Sequence, residues 1–195
     1  SMDPIVEEVR RQLAEKADPV LQAKSWRFFK EEVLTYGIRN GVVTNIAKKS
    51  LAAMKARPKE ELFALCGELW QSGYLEECGV ACIWSQALSR QYEASDLRTF
   101  EHWIDSYATN WATCDTLCNH TVGGLLLKFP ETIATVSGWT ASENRWKKRA
   151  AASSLIVPAR NGLFLQEVFA IAEDLLEDPD DMVQKGYGWM LKAAS

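Results

Sequence analysis

The chain has 195 residues, of which 47% are hydrophobic and 25% charged, with 11 Gly and 6 Pro. That composition excludes a disordered or fibrous polypeptide and is ample for a well-buried core. A formal net charge of −4 excludes a protein that coats nucleic acid through bulk charge, and no apolar run reaches the roughly 18 residues that cross a bilayer.

Helical periodicity then runs nearly end to end. Ser1-Met2 reads as the remnant of a cleaved tag. Asp3-Pro4 caps and opens a first helix with Ile5, Val9 and Leu13 on one face. Asp18-Pro19 does the same for a second, which carries Leu21, Trp26, Phe28 and Phe29. Tyr36-Gly37-Ile38-Arg39-Asn40-Gly41 is a break, suited to positive φ. A third helix turns Val42, Ile46 and Met54 inward and leaves Lys48, Lys49 and Lys55 outside; Pro58 opens a fourth with Leu62, Leu65 and Leu69 at helical spacing.

Gly73 ends that helix and residues 74–91 form the next. Ser95-Asp96 caps another, with Leu97, Phe100, Trp103, Ile104 and Tyr107. A helix begun at Trp111 runs to about Lys128 and is closed by Pro130. Thr132-Ile133-Ala134-Thr135-Val136 is β-branched, but a lone strand has no partner, so a short helix is expected there. Ser142 is expected to cap the next helix and Pro158 to end it. Residues 162–177 are amphipathic through Leu165, Val168, Phe169, Ala172 and Leu176, and Asp178-Pro179-Asp180-Asp181 opens the last helix.

About eleven helices with short connections predict an all-α fold in one domain over residues 1–195. Consecutive amphipathic helices in hairpin-sized pairs suggest an α-solenoid, and about four HEAT-type units of roughly 40–47 residues would fit. A closed helical bundle is the alternative that periodicity leaves open.

The chemistry-bearing residues form three groups. Trp111 and Asp115 are four apart on a helix, an indole beside a carboxylate, which suits a cation. Arg145, Lys148 and Arg149 share a helix face next to the small-residue run Ala150-Ala151-Ala152-Ser153-Ser154. Residues 141–162 hold five Lys or Arg against one Glu, a net +4 on a chain that is otherwise −8, so a local basic patch is expected to grip phosphates. Lys185 and Trp189 lie on the last helix. Each group also has a plainer reading, as core aromatics, dipole-matching acids or a solvated face.

Five cysteines include the i, i+4 pairs Cys78/Cys82 and Cys114/Cys118, which read as small buried hydrophobes in a reducing compartment rather than zinc ligands. The N-terminal stretch Asp3–Arg11 lacks the apolar core of a signal segment. No Ser/His/Asp signature, phosphate loop or HExxH is present, and neither a metal nor a cofactor is expected.

In its aromatic second helix, Gly37-Ile38-Arg39, Asn110-Trp111 with Asp115, Asn144-Arg145-Trp146-Lys147-Lys148-Arg149-Ala150-Ala151 and Lys185-Gly186-Tyr187-Gly188-Trp189, the chain resembles the DNA alkylation repair family, the AlkD-like glycosylases built from HEAT-like repeats. It departs from many of them at Ala112-Thr113-Cys114 and at Asn40-Gly41. The resemblance implies a concave DNA-binding surface and excision of cationic N-alkylated purines without metal or cofactor. It places the catalytic acid on Asp115 and the active-site indoles on Trp111 and Trp189. It places DNA contacts on Arg149 and Phe28, and Arg145, Lys148, Lys185 and Arg39 are expected to join them. The implied partner is double-stranded DNA with alkylated bases, bound by a monomer in the cytoplasm (at the nucleoid, in a prokaryote). The rival expectation is a non-catalytic helical-repeat module. An Asp115 both locked in an internal ion pair and shut off from any open channel would leave only an all-helical protein of unknown purpose.

Overall fold

The computed structural model describes residues 3–195, so the reading of Ser1-Met2 lies outside the described residues. The fold is all-α: no strand occurs among the described residues beyond one isolated bridge between Leu34 and Tyr74. Residue contacts gather into two compact units, Ser1–Arg90 and Gln91–Ser195.

Unit 1 holds α1 (Pro4–Glu15), α2 (Pro19–Phe28), α3 (Asn40–Ala52), α4 (Lys59–Ser72) and α5 (Leu75–Ala87). The Asp-Pro starts work as expected: Asp3 accepts from the Ile5 amide and Asp18 from the Val20 amide, each with proline at the first helical position. Gly73 closes α4 in the left-handed region at φ 78°. The core side of α1 is Val6, Val9 and Leu13, with Ile5 only half-buried. In α3 the buried residues are Val43, Ile46, Ala47 and Ser50, so the inward face is rotated from the expected one, and the buried Met54 lies beyond the helix end.

α2 contributes no buried residue, and Trp26 and Phe28 are 53% and 70% exposed. Hydrogen bonds hold it instead. Trp26 Nε1 donates to the Val33 carbonyl at 3.0 Å and Gln22 Nε2 to the Thr35 carbonyl at 2.8 Å. Gly37, at φ 77°, lets the loop approach α2 so closely that a Cβ there would lie 2.3 Å from the Asp18 carbonyl oxygen. Glu76, buried at the start of α5, fixes the same loop by accepting from Thr35 Oγ1 and from the amides of Tyr36, Gly37 and Ile38. One carboxylate thus accepts from three backbone donors of the turn, sharing the Gly37 amide with Thr35 Oγ1.

Unit 2 holds α6 (Leu97–Tyr107), α7 (Trp111–Thr116), a π-helical turn (Leu117–Val122), α8 (Gly123–Lys128), α9 (Ile133–Ser137), α10 (Arg145–Ser153), α11 (Ile156–Arg160), α12 (Leu165–Leu175) and α13 (Asp181–Ala194). Residues 111–128 are helical throughout, as expected, but with the π turn in their middle. Asn144, not Ser142, caps α10, its side chain accepting from the Trp146 amide, and Pro158 falls inside α11 instead of ending α10. In α12 the buried stripe is Val168, Ile171 and Leu175; of the apolar residues expected there Val168 is buried, while Leu165, Phe169 and Leu176 are exposed. No helix among the described residues is long and apolar enough to cross a membrane.

Candidate active site

Asn110 begins the site. Its side chain accepts from the Thr113 amide and starts α7 at Trp111. One turn later Asp115 emerges half-buried, with its side chain 20% exposed. Two neighbours in sequence are buried: Cys114 donates its thiol to the Trp146 carbonyl at 3.3 Å and Leu117 packs in the core. The helix is therefore pinned on the side away from the carboxylate.

α10 packs against α7 and α13 and supplies the carboxylate's partners. Arg149 is buried, 5% exposed, and forks onto Asp115: Nε donates to Oδ1 at 2.9 Å and Nη2 to Oδ2 at 2.7 Å. Its remaining nitrogen, Nη1, donates to the Met182 carbonyl at 2.7 Å. Burial opposes the guanidinium's charge, but the Asp115 hydrogen bonds outweigh it and hold the Arg149 pKa above its ordinary value. The sequence placed Arg149 on a DNA phosphate. This geometry instead spends its donors inside the protein, where it positions Asp115.

Two further residues, not singled out from sequence, complete the arrangement. Ser153 Oγ lies 3.0 Å from Asp115 Oδ1 and 3.0 Å from the Arg149 carbonyl. With one proton to donate, it favours the charged acceptor. Its signal was a hydroxyl one turn after Arg149 in a run of alanines. Gly186 of α13 is buried against Arg149, where a Cβ would meet Arg149 Cγ at 2.9 Å. Oδ1 thus accepts twice and Oδ2 once, which leaves an acceptor position on Oδ2 of a carboxylate with solvent access. Asp115 is ion-paired, and its side chain remains 20% exposed. Ser153→Ala is expected to cost about 1 kcal/mol of stability. Urea midpoints check it, and Ser153→Thr, which keeps the hydroxyl, should restore most of the loss.

Trp111 sits one turn before Asp115, half-exposed, and Trp189 on α13 is 67% exposed, one turn beyond Gly186. Both indoles therefore belong to the elements that frame the carboxylate.

The other expected phosphate contacts in unit 2 are neutralised within it. Arg145 Nε meets Asp180 Oδ2 at 2.7 Å and its guanidinium lies 4.7 Å over the Trp146 ring. Lys148 meets Asp178 at 2.8 Å, Lys147 meets Glu101 and Asp105 at 2.9 and 2.8 Å, and Lys185 meets Asp181 at 3.1 Å. Lys148 holds the Asp178 carboxyl below its usual range. Asp180 is also held low, where Arg145 and the Val183 and Met182 amides outweigh burial. The expected basic patch on α10 is therefore a set of ion pairs, because acids distant in sequence fold onto it. Phe28 and Arg39 are exposed residues of unit 1.

All five cysteines are free and buried. Burial raises the Cys66 and Cys78 pKa values, and the contact with Cys118 together with burial raises that of Cys114, so these thiols stay protonated and unreactive. Among the described residues no three His, Cys, Asp or Glu side chains gather in a metal-binding group.

Comparison with known proteins follows the same lines. A solved structure described as a predicted DNA alkylation repair enzyme from Enterococcus faecalis superposes with a TM-score of 0.80 at 20% identity, covering 92% of this chain and 84% of that one. At that identity the likeness establishes the fold, which is of the all-α solenoid class. No curated protein matches. Residues 9–195 match the family described as DNA alkylation repair enzyme, with Asp115, Arg149 and Trp189 all inside the matched span. The chain belongs to the DNA alkylation repair enzyme family.

Proposed function

We propose that this protein is a DNA glycosylase that hydrolyses the N-glycosidic bond of cationic N-alkylated purines, of the 3-methyladenine and 7-methylguanine type, as the first step of base excision repair. The observation that carries this reading is a carboxylate fixed by three hydrogen bonds whose side chain remains 20% exposed. An N-alkylated purine already bears a positive charge. When its bond to C1′ breaks, the electron pair goes to the base, which departs neutral and needs no general acid. The positive charge moves to the sugar as an oxocarbenium-like ion. Asp115 Oδ2 faces that charge, and water then adds to C1′ and gives up a proton to Asp115 or solvent. Exposed indoles at Trp111 and Trp189 flank the deoxyribose, each contributing roughly 0.5–2 kcal/mol of cation–π stabilisation. Electrostatic preorganisation is the larger contribution, since Arg149 and Ser153 fix the carboxylate before substrate arrives. Neutral lesions, whose leaving group requires protonation, are poor substrates.

The test is release of free 7-methylguanine from methylated duplex DNA by the whole chain, beside a duplex carrying a neutral lesion such as hypoxanthine. Release from the first only is the expected result. No release from either returns the protein to the reading of a non-catalytic helical module, which the internal pairing of the α10 cations favours.

A further inference from the structure

The unpaired cations of this chain are concentrated in unit 1. Residues 16–57 contain nine Lys or Arg against three Asp or Glu, a net charge of +6 on a chain whose total is −4. Of those nine cations, only Arg57 has a carboxylate partner among the described residues, Asp3 at 2.9 Å and Glu61 at 3.6 Å. On α10 the opposite holds: Arg145, Lys147, Lys148 and Arg149 each have one. A paired cation must give up its carboxylate to bind a phosphate, and much of the gain is cancelled. An unpaired one binds phosphate and releases condensed counterions without that loss.

A cleft receives some of these charges. α3 buries Val43, Ile46, Ala47 and Ser50 against its neighbours, which turns positions 41, 45, 48 and 49 outward. Between α3 and α1 lie two adjoining hollows of about 520 and 360 Å³ that share Lys16, Val42 and Asn45. Lys48 borders the first and Lys49 the second. Thr44 adds a hydroxyl and Asn45 an amide, neutral donors suited to phosphate oxygens. The one carboxylate on the lining, Glu15, is engaged by Arg11 at 3.1 Å.

We infer that this cleft, centred on Lys16, Lys48 and Lys49, binds backbone phosphates of duplex DNA and supplies much of the chain's sequence-independent grip. The inference rests on the reading of the protein as a DNA-acting enzyme. Its ligand is the phosphodiester and not a base edge: flexible ammonium groups act as point charges and lack the planar fork that reads bases.

The experiment measures affinity for an undamaged duplex against salt concentration, using the full chain carrying both Lys48→Gln and Lys49→Gln. Arg98→Gln, which removes an exposed cation from α6, controls for bulk charge, and circular dichroism checks the fold. The double variant is expected to bind about tenfold more weakly at about 0.1 M salt, with the log–log salt slope shallower by about two. Arg98→Gln should leave the slope unchanged. Unchanged affinity and slope in the double variant overturn the proposal, as does an equal loss in Arg98→Gln. Anionic vesicle binding that the double substitution abolishes, with duplex binding intact, overturns it in favour of a membrane surface. Base release is scored separately, as a single-turnover rate of the wild-type chain at saturating protein. Duplex binding that depends on the cleft in a protein without base release supports the cleft and overturns the chemistry.

Discussion

Asp115→Asn is expected to lower single-turnover release of 7-methylguanine at least about 100-fold, while affinity for undamaged duplex changes less than about twofold. The substitution keeps the side chain's shape and removes its charge. An oxocarbenium-like sugar then meets an amide dipole where it had met a carboxylate. Because Arg149 is buried against Asp115, the same change leaves a guanidinium without its counter-charge. A melting curve must therefore accompany the rates, to show that the variant is folded at the assay temperature. Equal rates in the folded variant and wild type would falsify the assignment of Asp115.

Arg149→Ala is expected to cost about 3 kcal/mol of stability, a fall in Tm of roughly 10 °C for a chain of this size. It removes the fork that holds both carboxylate oxygens, leaves the Met182 carbonyl without its donor and opens a void in the seam between α10 and α13. Base release should fall with it through kcat more than KM, since the arginine acts by placing Asp115. The salt slope of duplex affinity should not change, because a guanidinium this buried neutralises no phosphate. A slope shallower by about one would return Arg149 to the DNA surface. Arg149→Lys keeps the charge but not the fork, so it should recover part of the stability and little of the rate.

Much of the fold could be read from local signals because local chemistry sets it. Asp3-Pro4, Asp18-Pro19 and Gly73 mark helix ends through caps and allowed dihedrals, and the structure places ends there. Residues 165–176 were read only in part for a physical reason. They carry two apolar stripes, Leu165-Phe169-Leu176 and Val168-Ile171-Leu175; the expected set drew on both, and periodicity cannot say which meets the core. Of the site, Asp115, Trp111, Trp189 and Arg149 were legible as residues, but what Arg149 does was not. Its role depends on α7 and α13 closing over it, across 34 positions to Asp115 and 33 to Met182. The net +4 of residues 141–162 likewise misled because Glu101, Asp105, Asp178 and Asp180 answer it from outside that window.

The π-helical turn at Leu117–Val122 has a bearing on how this lineage can change. An α-helix advances about 100° per residue and a π turn less, so rewinding these residues as α-helix with none removed would swing Asp115 about a quarter-turn around the axis relative to the buried Leu125 and Leu126. The carboxylate would then leave its partners, or the leucines the core. A change to regular α winding across this stretch is therefore barred by geometry unless one residue is lost with it, while point substitutions on its exposed side, at His120, are not.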